Sequence, residues 1–388
     1  MGLMGMTSDI DWPLTSGPSF SHFNGIAIES TGVTIGPFQF SAPFCQAGLA
    51  GYSDRAMRIV ARRRGCGYAV TEALLDTIIL NGGEGLRKSI DISDEDHPVA
   101  GQVMGSEPHQ MAAAAKIMAA AGFDVIDLNF ACPVKKIKNK ARGGHMLLDA
   151  DRGISVLKAV RDALPPEVPT SISLRRGFDD SVESRDRFYR IVDEAFAHGY
   201  SAVRVHGRTV EQKYAGQAHW PSIREVKQRY PDRTILGSGD VFTAEDAVRM
   251  IRDTGVDMVW IARGAIGNPW IFRHAAELLQ QGNAPRETIF RPPSIPEQRE
   301  ALAEHFGIAM QIHGESLAGR RMRKMGIKYS RFHPESVLVK ADFIAVHSLR
   351  DWNAVLEKWY STDAPGIWPD PKAADEVNAA PEGCGIGV

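Results

Sequence analysis

Cysteine is scarce in this chain. Four occur among 388 residues, Cys45, Cys66, Cys132 and Cys384, and no two are spaced as a CxxC pair. That excludes a disulfide framework and a cysteine-built zinc site, so reduced thiols are the default. No apolar stretch reaches transmembrane length. The start MGLMGM carries neither a secretory leader's pattern nor the Ser or Thr that a myristoylation signal wants at its sixth position. A cytoplasmic protein with no membrane partner is expected. An excess of one charge is also lacking: 45 Lys and Arg against 47 Asp and Glu leave −2 overall, which speaks against wholesale coating of nucleic acid. The remainder is an ordinary globular mixture, 44% hydrophobic and 24% charged, long enough for one large barrel or two domains.

Residues 1–40 mix Gly, Ser, Pro and Thr without sustained periodicity and read as an extension with a short capping hairpin. Over residues 41–282, β-rich runs alternate with amphipathic helical stretches. The runs are APFCQAGL, YAVTEA, PVAGQVMG, DVIDLNF, TSISLR, SAVRVH, TILGSG and DMVWIA. Between them lie helix-like segments such as PHQMAAAAKIMAAAG and TAEDAVRMIRDTG, the second with Thr243 as N-cap and Gly255 as stop. Eight such units predict an α/β fold, a (β/α)8 TIM barrel. A doubly wound sheet would want G-x-G-x-x-G after its first strand, and CQAGLAGYSD does not supply it. Four prolines, at positions 285, 292, 293 and 296, mark residues 283–296 as a linker. Helical periodicity over residues 297–361 predicts a small C-terminal helical domain, and residues 362–388 read as a flexible tail.

An active site in such a barrel lies at the C-terminal ends of the strands. Those ends carry Glu72, Gln102, Asn129 with Cys132, Arg175 with Arg176, His206, Ser238-Gly239-Asp240 and Arg263-Gly264. Singly, each reads as readily as a satisfied structural group; their recurrence at successive strand ends is what a ligand over the mouth needs. GSGDVFTAEDA and ARGAIGNPWIF each run from strand through glycine towards a helix start, with Arg263 close by. Two ordinary turns would look the same singly, but together they predict a phosphate site, and flavin mononucleotide (FMN) fits it. In DLNFACPVKK, Cys132 precedes Pro133, which holds it in extended geometry just past a strand. It is either a packing thiol or, being mostly protonated with a pKa of about 8.5, a proton donor to a carbanion or enolate.

The strings LNFACPVKKIKNKARGGHMLL, AGLAGYSDRAMR, GQVMG, VRVHGRTVEQKYAGQAHWPSI, GSGDVF and IARGAIGNPWIFR together resemble the tRNA-dihydrouridine synthase family, over about residues 34–281. A weaker echo, RRMRKMGIKY, lies in the helical domain. The resemblance implies an FMN barrel that reduces the C5–C6 double bond of uridine in folded RNA, most often tRNA, with NADPH as electron source. The sequence itself fixes no oligomeric state, and a monomer is the favoured one. The resemblance also implies hydride transfer from flavin N5 to C6 and a proton from Cys132 to C5. It places Gln102, Asn129 and His206 around the flavin ring and uracil, with Ala47, Gly48 and Leu49 in the first strand's turn. Gly239-Asp240 and Ala262-Arg263-Gly264 become the phosphate loops. A stacked uracil cannot reach a flavin, so the base must be splayed out and the RNA gripped. Three basic clusters are available, RIVARRRG, KKIKNKAR and GRRMRKMGIKYSR. Lys135, Lys136, Lys138 and Lys140 share the loop of Cys132, and Arg320, Lys324, Lys328 and Arg331 share one helix face by spacing.

The chain departs from the family's pattern at three positions around the flavin: Gly48 stands for a proline, Ser238 for an asparagine, and Ser173 for a lysine on the fifth strand. A strand's period of two puts Arg175 on the same face as Ser173, so Arg175 is expected to supply the missing charge. Two other functions stay open at this level. One is a flavin barrel acting on a free pyrimidine or enone; the other is an RNA-binding barrel without redox activity.

Overall fold

The computed structural model describes residues 32–133, 142–281 and 291–369. Residues 1–31 of the expected extension, Lys135, Lys136, Lys138 and Lys140, residues 283–290 of the linker and residues 370–388 of the tail lie outside the described residues.

The β-rich runs form strands, numbered in chain order. An antiparallel hairpin of β1 (Val33–Ile35) and β2 (Phe38–Phe40) precedes them. The barrel strands are β3 (Phe44–Gln46), β4 (Tyr68–Val70), β6 (Val99–Met104), β7 (Val125–Phe130), β8 (Thr170–Arg175), β9 (Ala202–His206), β10 (Thr234–Ser238) and β11 (Met258–Ile261). They pair in parallel in that order, and pairing of β11 with β3 closes the cylinder. A two-residue strand, β5 (Leu74–Leu75), adds to β6 near its end. All eight predicted strands are present, and the fold is a TIM barrel.

The strands are buried on both faces, as parallel strands sheathed in helices must be. Their outward side chains, among them Ile126, Leu128, Ile172, Leu174, Val203 and Val205, form one core with the surrounding helices. The inward ones form a second, smaller core. Val125, Ala202, Leu236 and Met258 meet Val33, Ile35 and Phe40 there, so the hairpin plugs the cylinder at the strands' N-terminal ends. The helix Ala244–Thr254 starts in a Thr243–Asp246 capping box and stops at Gly255 in left-handed geometry, as its sequence predicts.

Four further helices follow, at Ile295–His313, Glu315–Tyr329, Ser336–Ile344 and Leu349–Trp359. The first begins two residues earlier than its periodicity suggested, because Ser294 and Glu297 form a capping box around it. This helical region docks on the barrel mouth. Trp270 meets Tyr329 and Phe332 edge-on, with centroids 5.9 and 5.6 Å away. Gly267 (φ +64°) approaches so closely that a side chain there would come within 2.6 Å of the Lys328 backbone. The segment from Thr362, expected to begin the tail, is held through Ile367: Ile295 N–H donates to Ala364 O and Ile367 N–H to Phe332 O, each at 2.9 Å. Among the described residues no helix is long and apolar enough to cross a membrane.

Candidate active site

The inward faces of β6 to β10 turn polar in their C-terminal halves. At the centre is Asp127, fully buried on β7. It accepts hydrogen bonds from Ser171 Oγ (2.6 Å), Ser173 Oγ (2.8 Å) and Gln102 Nε2 (2.7 Å). Burial pushes its carboxyl up, while the hydroxyls, the amide and the nearby Arg204 work the other way. Asn129, one inward step further, donates to Gln102 Oε1 at 2.7 Å. Its own Oδ1 accepts the backbone N–H groups of Ala131 (3.0 Å) and Cys132 (2.9 Å). The strand therefore ends in a side-chain clasp that sets the cysteine turn.

Cys132 is half-buried and lines a cavity of about 250 Å³ above this polar floor. Ala47, Gly48, Leu49, Gln102, Asn129, Arg175, His206, Ser238, Gly239, Asp240, Ala262 and Arg263 share that lining. Ser173 lies beneath, wholly buried, and Gly264 sits against Val241 and Phe242. Gly48 is required by its neighbour: a Cβ there would fall 2.1 Å from Thr71 O. An adjoining cavity of about 570 Å³, lined by Arg208, Gln217, Arg249 and Arg263, shares Tyr214, Asp240 and Phe242 with the first.

His206 sits amid positive charge. Burial and then Arg175, Arg204, Arg208 and Arg263 hold its pKa well below the usual histidine range, so the ring is neutral. Its Nδ1 accepts the Arg208 N–H at 3.1 Å, which leaves the ring proton on Nε2. Asp240, in left-handed geometry at φ +55°, turns its carboxylate to Arg208 Nη2 (2.8 Å), Ala218 N–H (2.7 Å) and Arg263 Nη2 (3.5 Å). Its part is to aim two guanidinium groups.

Several expected residues have other placements. Arg175 faces inward as predicted, but its guanidinium is turned to the loops. Nε donates to Ala131 O (2.8 Å), and Nη1 to Thr209 O (2.8 Å) and Lys213 O (2.6 Å). Ahead of the helix start at Ala244, in one of the two loops expected to form the phosphate site, Asp246 Oδ2 already accepts the N–H groups of Phe242 and Thr243. Arg263-Gly264 enters a short 3-10 turn, Arg263–Ala265, rather than a helix. Of the basic helix face, only Arg320 is exposed. Lys324 Nζ donates to Gly51 O and lies 4.2 Å from the Tyr52 ring centroid, while Lys328 and Arg331 line the mouth cavity. The helix is caught between the barrel and Phe343, whose ring crowds Gly326, so its basic face meets the mouth. RIVARRRG is structural: Arg58 pairs with buried Asp96, and Arg63 and Arg64 pair with Glu304 at 2.5 and 2.6 Å.

Sequence reading missed Asp127 and Arg204. Their signal was available: each is a charged residue within an otherwise apolar strand, two positions before a strand-end residue already singled out.

Known proteins are similar to this chain over most of its length. The family model described as Dihydrouridine synthase (Dus) matches residues 45–359. The tRNA-dihydrouridine synthase B of Xanthomonas campestris is 33% identical over 312 residues, 80% of this chain and 90% of that one. Its namesake in Pseudomonas aeruginosa is 33% identical over 292 residues, 75% and 85% of the two chains. A probable tRNA-dihydrouridine synthase of Rickettsia conorii is 30% identical over 329 residues, 84% and 95%. Among solved structures, 2-naphthoyl-CoA reductase with 2-naphthoyl-CoA superposes at a TM-score of 0.50 and 10% identity, over 63% of this chain and 51% of that one. A 6-hydroxypseudooxynicotine amine oxidase of Pseudomonas geniculata does so at 0.50 and 14%, over 71% and 52%. The last two likenesses are of fold alone, and the chain spans about half of each.

Proposed function

The chain belongs to the dihydrouridine synthase family, and from that premise we propose that it reduces the C5–C6 double bond of a uridine in tRNA to dihydrouridine. The residues present fit FMN. A cavity of apolar walls and a polar floor opens into one ringed by Arg208, Arg249 and Arg263, a combination that suits a flat ring carrying a phosphate. Gly48 and Gly239 stand where side chains would collide with Thr71 O and Ala218, and Trp260 Nε1 is buried with no hydrogen-bond partner among the described residues. When bound, FMN supplies the hydride that C6 of uracil receives, and NADPH replenishes it.

The chain's own residues do the rest. Hydride at C6 leaves the electron pair of the broken π bond on C5, conjugated with the C4 carbonyl as an enolate. The Cys132 thiol gives its proton to C5, and the thiolate left behind lies near the Arg175 guanidinium. The neutral His206 Nε2–H and the amides of Gln102 and Asn129 orient the acceptor edges of the bound rings. Lys328 and Arg331, at the rim, meet the phosphates that flank a splayed-out base.

The observation that carries this reading is the cysteine turn: the Asn129 clasp holds Cys132 over the same cavity that the polar floor underlies. Cys132→Ala tests it. The variant should keep the wild-type flavin content and melting temperature and form dihydrouridine on tRNA about 10²–10⁴-fold more slowly, measured by mass spectrometry of nucleosides. A variant as fast as wild type removes Cys132 as the acid. Reduction of free uridine as fast as tRNA assigns the barrel to small pyrimidines instead.

A further inference from the structure

Arg204 is the charged side chain at the floor of the mouth cavity for which the preceding mechanism has no use. It projects inward from β9, two residues before His206, and is only partly buried because it lines the cavity. Nε donates to Ser173 Oγ at 2.9 Å and Nη1 to Ser238 Oγ at 3.1 Å. The guanidinium lies 4.2 Å from the centroid of the Trp260 ring. Nη2 donates to no described residue. Ser173 Oγ accepts from Arg204 and donates to Asp127 Oδ2, so one hydroxyl links the buried carboxylate to the guanidinium.

Ser173 and Ser238 are two of the three positions at which the sequence departs from its family, and the fold brings both to this one side chain. A lysine at 173 would set a second cation against the guanidinium, and an asparagine at 238 would put a bulkier amide in place of the hydroxyl that accepts from Nη1. Both serines therefore help to hold Arg204 in place. Arg175 is not equivalent, since its donors are taken by three loop carbonyls. An arginine held on two sides and backed by an indole face has little rotational freedom left to lose, and its remaining donor is fixed.

We propose that Arg204 is a cofactor-binding residue whose guanidinium meets the electronegative edge of the bound ring and favours the form carrying negative charge there. This rests on the flavin reading above, in which that edge is the pyrimidine edge of reduced, anionic FMN. A fixed cation in a site with little water acts on such a charge far more strongly than on the neutral oxidised ring.

The test is the two-electron midpoint potential of the purified FMN-loaded protein, read against redox dyes. Arg204→Gln should weaken binding of reduced FMN by about tenfold more than that of oxidised FMN, a fall of about 30 mV. Arg204→Lys should fall less. Moving the charge across the floor, with Ser173→Lys and Arg204→Ser together, should return the potential towards wild type. Should Arg204→Gln fail to fold because Asp127 loses its counter-charge, Arg204→Met with Asp127→Asn removes both buried charges and gives the same reading. Full flavin content at an unchanged potential in these variants overturns the inference while leaving the reductase reading intact. Wild-type protein that takes up no FMN overturns both.

Discussion

The two ends of the cylinder are made by the same eight strands and could hardly differ more. Along β7 the inward side chains run Val125, Asp127, Asn129; along β9 they run Ala202, Arg204, His206; along β10, Leu236 is followed by Ser238. Polarity climbs in steps of two residues. At the lower end the apolar residues meet Val33, Ile35 and Phe40 of the hairpin, and burial pushes the two titratable groups among them, Cys45 and Tyr68, well up, so both stay neutral. At the upper end buried arginines, an aspartate and a neutral histidine surround a cavity. Chemistry that needs charge out of water is confined to one end, and the other contributes the hydrophobic burial that offsets its cost.

That division can be broken from the plug side. Phe40 is 2% exposed, and its ring centroid lies 4.9 Å from that of Tyr68. Phe40→Ala should cost about 3–5 kcal/mol in urea unfolding. The folded protein should keep its flavin potential, since the floor around Arg204 is a separate layer. A changed potential would show the two ends to be coupled.

A smaller effect should appear with acid, and only on the mouth side. His305, 2% exposed within the helix Ile295–His313, is held down to about 4, mainly by burial. Its unfolded value is about 6.5, so between these values the unfolded chain binds the extra proton and stability falls as pH drops. The loss should approach roughly 3 kcal/mol by pH 4. His206 has the same sign. The hairpin residues 33–40 carry no titratable side chain. His305→Gln should flatten the melting temperature measured from pH 7 to pH 5; an unchanged slope would remove His305 as its source.

The smallest expected change sharpens the role of the rim. Lys328, shifted down to about 8 by burial and then by Arg331 and Lys340, should meet one RNA phosphate. Lys328→Met should lower the slope of log affinity for tRNA against log salt by about 1 and leave flavin content unchanged. An unaltered slope would make Lys328 a purely structural link between helix and barrel.

Local patterns in the sequence determined a good deal. Eight β-rich runs alternating with helices, without the glycine turn that a doubly wound sheet wants after its first strand, point to a barrel, and strand ends such as Asn129, His206 and Ser238 point to the mouth by position alone. Cys132 owes its geometry to Pro133 and to the asparagine three residues earlier, both readable in DLNFACP. The basic helix shows the limit. Spacing put Arg320, Lys324, Lys328 and Arg331 on one face, but which way that face turns depends on Gly267, Trp270 and Phe343, which belong to other segments. The same holds for the missing lysine. Period two nominated Arg175, a neighbour along β8, whereas the side chain touching Ser173 comes from the next strand. Alternation along a strand is a property of the backbone and can be read from order alone. Which inward residues meet across the cylinder is set by its closure and stagger, and those exist only once all eight strands have paired.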